Sequence, residues 1–171
     1  MFSVIRPAEL VIVLGLCLTI SRAQAPASGP EEAESYEVYS AVLHRGDSNR
    51  ADWKILDKTY AFAFCPVPAP DQDSLYRPTL DDYTRKNKTT VPLERKFGLE
   101  NYLLVSDRRG AGNTTHGANV ILSAVGFNPD RTRAAVCFWI VSSGTCSVLI
   151  KSDGAWTLDK GWHGNGCGWA Y

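Results

Sequence analysis

The chain has 171 residues, 18 basic and 18 acidic side chains and 44% hydrophobic residues, which suits one domain of ordinary size. Balanced charge argues against a nucleic-acid partner: the one local basic cluster, Arg85-Lys86-Asn87-Lys88, follows directly on Asp81 and Asp82 and reads as a solvated helix end. The apolar run over residues 10–20 is short of the ~20 residues that a membrane-spanning helix needs, so no transmembrane span is expected in the mature chain.

Arg6 precedes that run, and Ser21-Arg22-Ala23 places small residues where a signal peptidase cuts, so residues 1–23 are expected to be a signal peptide removed before Gln24. The mature protein would then be secreted or periplasmic. Its loss of Arg6, Arg22 and Glu9 leaves 16 basic against 17 acidic residues. Residues 24–29 read as a flexible spacer, and residues 30–171 as a single α+β domain.

Pro30 suits a first helical position, Glu31 and Glu32 suit the positive helix end, and Tyr36, Tyr39 and Leu43 recur at helical spacing, so a helix runs from Pro30 until Gly46 closes it. His44 falls in its last turn and complements the helix end. Residues 53–64 carry Ile55, Tyr60, Phe62 and Phe64 and read as one extended segment, bent at Asp57-Lys58. Residues 66–78 contain four prolines and read as a surface loop. Thr79 with Asp82 marks the start of a second, short helix, and residues 93–97 a further helical turn. Residues 102–106 are β-type, and residues 107–116 form a polar connection.

Residues 120–160 read as a meander of four antiparallel strands. The first ends at Asn128-Pro129-Asp130, and the second, residues 134–141, is an unbroken apolar run expected of a central strand covered on both faces. Ser143-Gly144 is the expected next turn, which sets Cys146 opposite Val141 and groups Val141, Trp139, Cys137, Cys146, Val148 and Ile150 on one face. A three-residue Ser152-Asp153-Gly154 loop then sets Lys151 opposite Ala155 and Ile150 opposite Trp156. The expected architecture is one or two N-terminal helices packed on an antiparallel sheet that ends in this meander, cystatin-like or NTF2-like by analogy of shape.

The strings Leu122-Ser-Ala-Val-Gly-Phe-Asn-Pro-Asp130, Arg133-Ala-Ala-Val136 and Lys151-Ser-Asp-Gly-Ala-Trp156 resemble a pattern in uncharacterised, predicted-exported bacterial proteins. The resemblance covers about a third of the chain and implies export but no activity, because the matching residues are turn and core types.

Four cysteines remain after signal-peptide removal, Cys65, Cys137, Cys146 and Cys167, and they allow three complete pairings. In the expected register Cys137 lies roughly 13 Å along the strand from the position facing Cys146, beyond disulfide reach. The fourth strand brings Lys160 opposite Cys146 with Cys167 only seven residues further on, so Cys146–Cys167 and Cys65–Cys137 are the expected bridges.

No nucleophile, base and orienting group assemble in the sequence, and no catalytic residue, metal ligand or cofactor is assigned. Arg108-Arg109-Gly110-Ala111-Gly112 could cradle an anion, but it leads into a strand and lacks a phosphate-loop ending. Asn87-Lys88-Thr89 and Asn113-Thr114-Thr115 match the glycosylation acceptor pattern. The leading expectation is a non-catalytic exported domain that binds a small ligand or a protein partner. Beside it stand recognition of envelope carbohydrate or peptide by Trp162, Trp169 and Tyr171, and a hydrolase or thiol enzyme built on His163, Cys167 or the carboxylates Asp81, Asp82, Glu94 and Glu100.

Overall fold

A computed structural model describes residues 30–45, 53–63, 68–106, 119–140, 143–162 and 168–170. The expected signal peptide and spacer lie outside the described residues. So do Cys65, Arg108, Arg109, His116, His163, Cys167 and Tyr171.

The chain is α+β, and its described residues form two α-helices and an eight-stranded sheet. Helix α1, Pro30–Arg45, begins at the expected proline. It buries Tyr36, Val38, Tyr39, Val42 and Leu43 along one broad stripe, each such burial contributing about 1.5–3 kcal/mol.

Helix α2 is longer than expected. It spans Asp73–Lys86 after a 3-10 turn over Pro70–Gln72, and it contains Pro78, so the stretch up to Pro78 is not a loop throughout. A proline inside a helix removes one backbone hydrogen bond. Tertiary burial offsets that loss: Tyr76, Leu80 and Tyr83 lie on one helical face and are nearly or fully buried. Residues 93–97, by contrast, form no helical turn. Leu93 and Phe97 drop directly into the core, and Leu93 N–H donates to Asp57 C=O at 2.8 Å.

The strands are β1 Trp53–Leu56, β2 Tyr102–Val105, β3 Val120–Leu122, β4 Gly126–Phe127, β5 Arg133–Ile140, β6 Ser143–Ser152, β7 Ala155–Leu158 and β8 Gly168–Ala170. Their order is β2-β1-β3-β5-β6-β7, with β4 also on β5 and β8 also on β6. The meander is antiparallel as expected, but β1 runs parallel to both β2 and β3, so the sheet is mixed. Strand β1 ends at Leu56 and the chain bends at the expected Asp57, beyond which Lys58 makes only an isolated bridge to Pro92, so residues 53–63 are not one continuous strand.

Both faces of β5 are covered. Ala134 and Val136 join the core under α1, while Ala135 and Cys137 join Tyr76, Leu80 and Tyr83 of α2. Alternate strand residues point to opposite faces, so the sheet carries one helix on each side. A single helix in the palm of a sheet, the cystatin-like or NTF2-like analogy, does not describe this arrangement.

Two turns differ from expectation. Strand β6 begins at Ser143, so only Val141 and Ser142 lie between β5 and β6, and Cys137 faces Cys146 directly. The two cysteines form a disulfide with a Cα–Cα distance of 3.9 Å, which rules out both Cys146–Cys167 and Cys65–Cys137. Cys137 N–H and C=O both bond to Ser123, away from β6. The cysteines are thus a non-hydrogen-bonded cross-strand pair, the position at which opposite side chains approach most closely. Gly144 does not turn the chain; it pairs inside the ladder opposite Trp139, where a missing side chain leaves room for an indole. The slip moves the pairing by an even number of positions, so Cys137, Trp139, Cys146 and Val148 still share one face, as expected.

The second turn is a two-residue Asp153-Gly154 loop with both φ angles positive, 51° and 80°, a geometry that favours the Asp-Gly pair. It sets Lys151 opposite Trp156 and Leu149 opposite Leu158. The three-residue loop expected from sequence would have paired Trp156 with Ile150 and kept it away from the lysine. Lys151 Nζ instead lies 5.4 Å over the Trp156 ring, a cation–π contact that keeps the charge outside while the indole is buried.

Candidate functional site

Strands β3 and β4 both pair with β5, but three residues, Ser123, Ala124 and Val125, face only two on β5. This is a β-bulge, a feature enriched beside functional sites. Side chains satisfy the backbone that the interrupted ladder leaves open. Asn87, just past the end of α2, donates to Ala124 C=O at 3.1 Å and accepts from Ala124 N–H at 2.9 Å. Tyr39 of α1 donates its hydroxyl to Ser123 C=O at 2.8 Å. Burial keeps the Tyr39 phenol far above its ordinary pKa, so it remains a donor at any physiological pH.

The Asn87-Lys88-Thr89 motif therefore has a structural explanation. The Asn87 amide is buried and also donates to Tyr83 C=O at 2.9 Å, so it is expected to carry no glycan, which intact-protein mass spectrometry from a glycosylating host would check. Asn87→Ala strands buried backbone groups of Ala124 and is expected to cost about 2–4 kcal/mol in urea unfolding.

The bulge forms the floor of an open cleft of about 490 Å³ between the two helices. Ala124, Val125, Tyr36, Tyr39 and Leu93 supply its apolar surface, Val91 and Pro92 one wall, and Glu31, Glu32, Arg85 and Lys86 the charged rim. That wall is braced: Val91 N–H donates to Thr59 Oγ1, Thr59 N–H donates to Val91 C=O, and Pro92 bridges to Lys58. Val91 remains 48% exposed, an apolar side chain that presents surface rather than filling the core.

A smaller chamber of about 260 Å³ adjoins the cleft and shares Glu31, Arg85 and Lys86 with it. Lys86 pairs with Glu31 and, at 2.9 Å, with Asp82. Burial pushes the Asp82 carboxyl up, but the Phe127 N–H at 2.8 Å, Lys86 and Arg85 outweigh it and hold the group below the usual aspartate range. Arg131 adds a third cation, paired with Glu34 and stacked 4.4 Å over the Phe127 ring. A third concavity, about 420 Å³, lies on the far side of Tyr36 and includes His44, Lys96 and Trp156.

Few of the residues singled out from sequence meet at this cleft. Trp162 stacks edge-on against Tyr76 at 4.6 Å and packs on the α2-side core, so it covers the sheet rather than offering a flat platform. Trp169 lies on β8 opposite Gly144. His44 is exposed, and its Nε2 lies 3.0 Å from Gly98 C=O, outside its own helix. Asp82 and Glu94 sit in separate ion pairs, Glu94 with Lys96 at 2.7 Å, and no cluster of metal-ligating side chains occurs among the described residues. The sequence reading missed the cleft itself. Its one usable signal was Asn87, a polar residue just beyond an amphipathic helix.

No protein-family model, no curated protein and no solved structure matches the chain. No helix among the described residues is long and apolar enough to cross a membrane.

Proposed function

We propose that the chain is an exported, non-catalytic domain that binds a small ligand in the cleft between α1 and α2. The observation that carries this reading is the cleft: about 490 Å³, an apolar floor on a β-bulge, and a rim of charged groups. Small-molecule sites have this volume range and this combination of apolar lining with a few placed polar groups. The Cys137–Cys146 bridge suits an oxidising compartment outside the cytosol, which supports export.

Val91→Trp tests the reading. Val91 stands half exposed on the cleft wall and its backbone makes the bracing bonds, so a tryptophan there fills the cleft without opening the core. A thermal-shift screen of the mature chain against amphipathic small molecules, sugars and anions is expected to find a stabilising ligand, since any ligand of the native state raises stability by mass action. Val91→Trp is expected to abolish that shift while unfolding within about 0.5 kcal/mol of wild type. A ligand whose stabilisation survives Val91→Trp would place binding elsewhere.

A further inference from the structure

The cleft and the smaller chamber share one ion pair, Glu31 to Lys86, which links the first turn of α1 to the last turn of α2. The two carboxylates on Lys86 are held very differently. Asp82 is 17% exposed and takes the Phe127 N–H as well as Arg85 and Lys86. Glu31 is 52% exposed, and among the described residues its carboxylate pairs with Lys86 and, at 3.7 Å, with Arg131. A pair with one exposed, long side chain contributes about 0–1 kcal/mol, so Glu31 can leave at little cost. The smaller chamber then presents Arg85 and Lys86 against Asp82, while Arg131 keeps its own partner, Glu34. Arg85 is 68% exposed and has guanidinium donors beyond those it gives Asp82.

We propose that the cleft takes an amphipathic carboxylate. Its apolar body lies over the bulge against Tyr36, Tyr39 and Val125, and its carboxylate replaces Glu31 on Lys86, with Arg85 alongside. Glu31 acts as a built-in stand-in for the ligand's head: it neutralises Lys86 and the positive end of α1 when the cleft is empty, and it swings to solvent when a ligand anion arrives. This assignment rests on the ligand-binding reading above and adds the head-group chemistry.

Calorimetric titration of the whole chain with decanoate, decanol and decylamine distinguishes the two. Decanoate is expected to bind at least about ten-fold more tightly than decanol, the discrimination of one charge-assisted hydrogen-bonded pair. Lys86→Met is expected to bring decanoate down to the affinity of decanol. Glu31→Gln, an exposed change expected to leave the circular dichroism spectrum unaltered, is expected to tighten decanoate several-fold by removing its competitor. Equal binding of decanoate and decanol by the wild type, both lost in Val91→Trp, overturns the head-group assignment and leaves the cleft reading standing. Tighter binding of decylamine overturns it as well, and binding of none of the three probes overturns both.

Discussion

Gly126→Ala is expected to detach α2 from the sheet and to lower the free energy of unfolding by about 3 kcal/mol or more. A methyl group on Gly126 would lie 2.3 Å from the backbone nitrogen of Tyr83 and 2.4 Å from its Cα. No side-chain rotation relieves that overlap, because the atoms it meets are helix backbone. Helix and strand would have to separate, and the separation would uncover Tyr76, Leu80 and Tyr83 together. It would also pull Asn87 away from Ala124 and so open the bulge under the cleft. Urea unfolding of the variant should show a lowered midpoint, with loss of ligand binding in step. A variant as stable as the wild type would mean that α2 does not dock at Gly126.

Removing the Cys137–Cys146 bridge is expected to cost about 2–4 kcal/mol, mostly by freeing the unfolded chain. Cys137→Ala with Cys146→Ala is the suitable variant, since both side chains lie in the α2-side core and alanine leaves no unpaired thiol there. The bridge also pins a register that the hydrophobic pattern alone leaves open: β5 and β6 could slide by two residues and keep every side chain on its present face. The variant is therefore expected to show slower, multiphasic refolding as well as a lower denaturation midpoint. A non-reducing digest of the wild-type protein should yield one peptide pair joining Cys137 to Cys146. Finding Cys146 joined to Cys167 instead would displace the hairpin register described above.

Local chemistry carried much of the architecture. Proline at the first position of α1, its acidic first turn and its aromatic stripe specify that helix without help from the rest of the chain. Alternation along β6 specified which of its residues share a face, the unbroken apolar run of β5 marked a strand covered on both sides, and the bend fell at Asp57, because side-chain period and turn chemistry are properties of a few neighbouring residues. What escaped the sequence was decided at longer range. Pro78 looked like a helix breaker until Tyr76, Leu80 and Tyr83 found a sheet to bury against. Trp156 looked misplaced beside Lys151 until the other face of the sheet proved to be covered by α1. The parallel direction of β1 depends on a long crossover whose geometry leaves no local trace. The cleft is the extreme case: Tyr39, Asn87 and Ala124 are far apart in sequence and meet only because α1 and α2 close on one interruption of a strand. Sequence by itself determined the helices' apolar faces and the strands' alternation, while the tertiary structure alone decided register, strand direction and the binding surface, since each of these is a relation between segments.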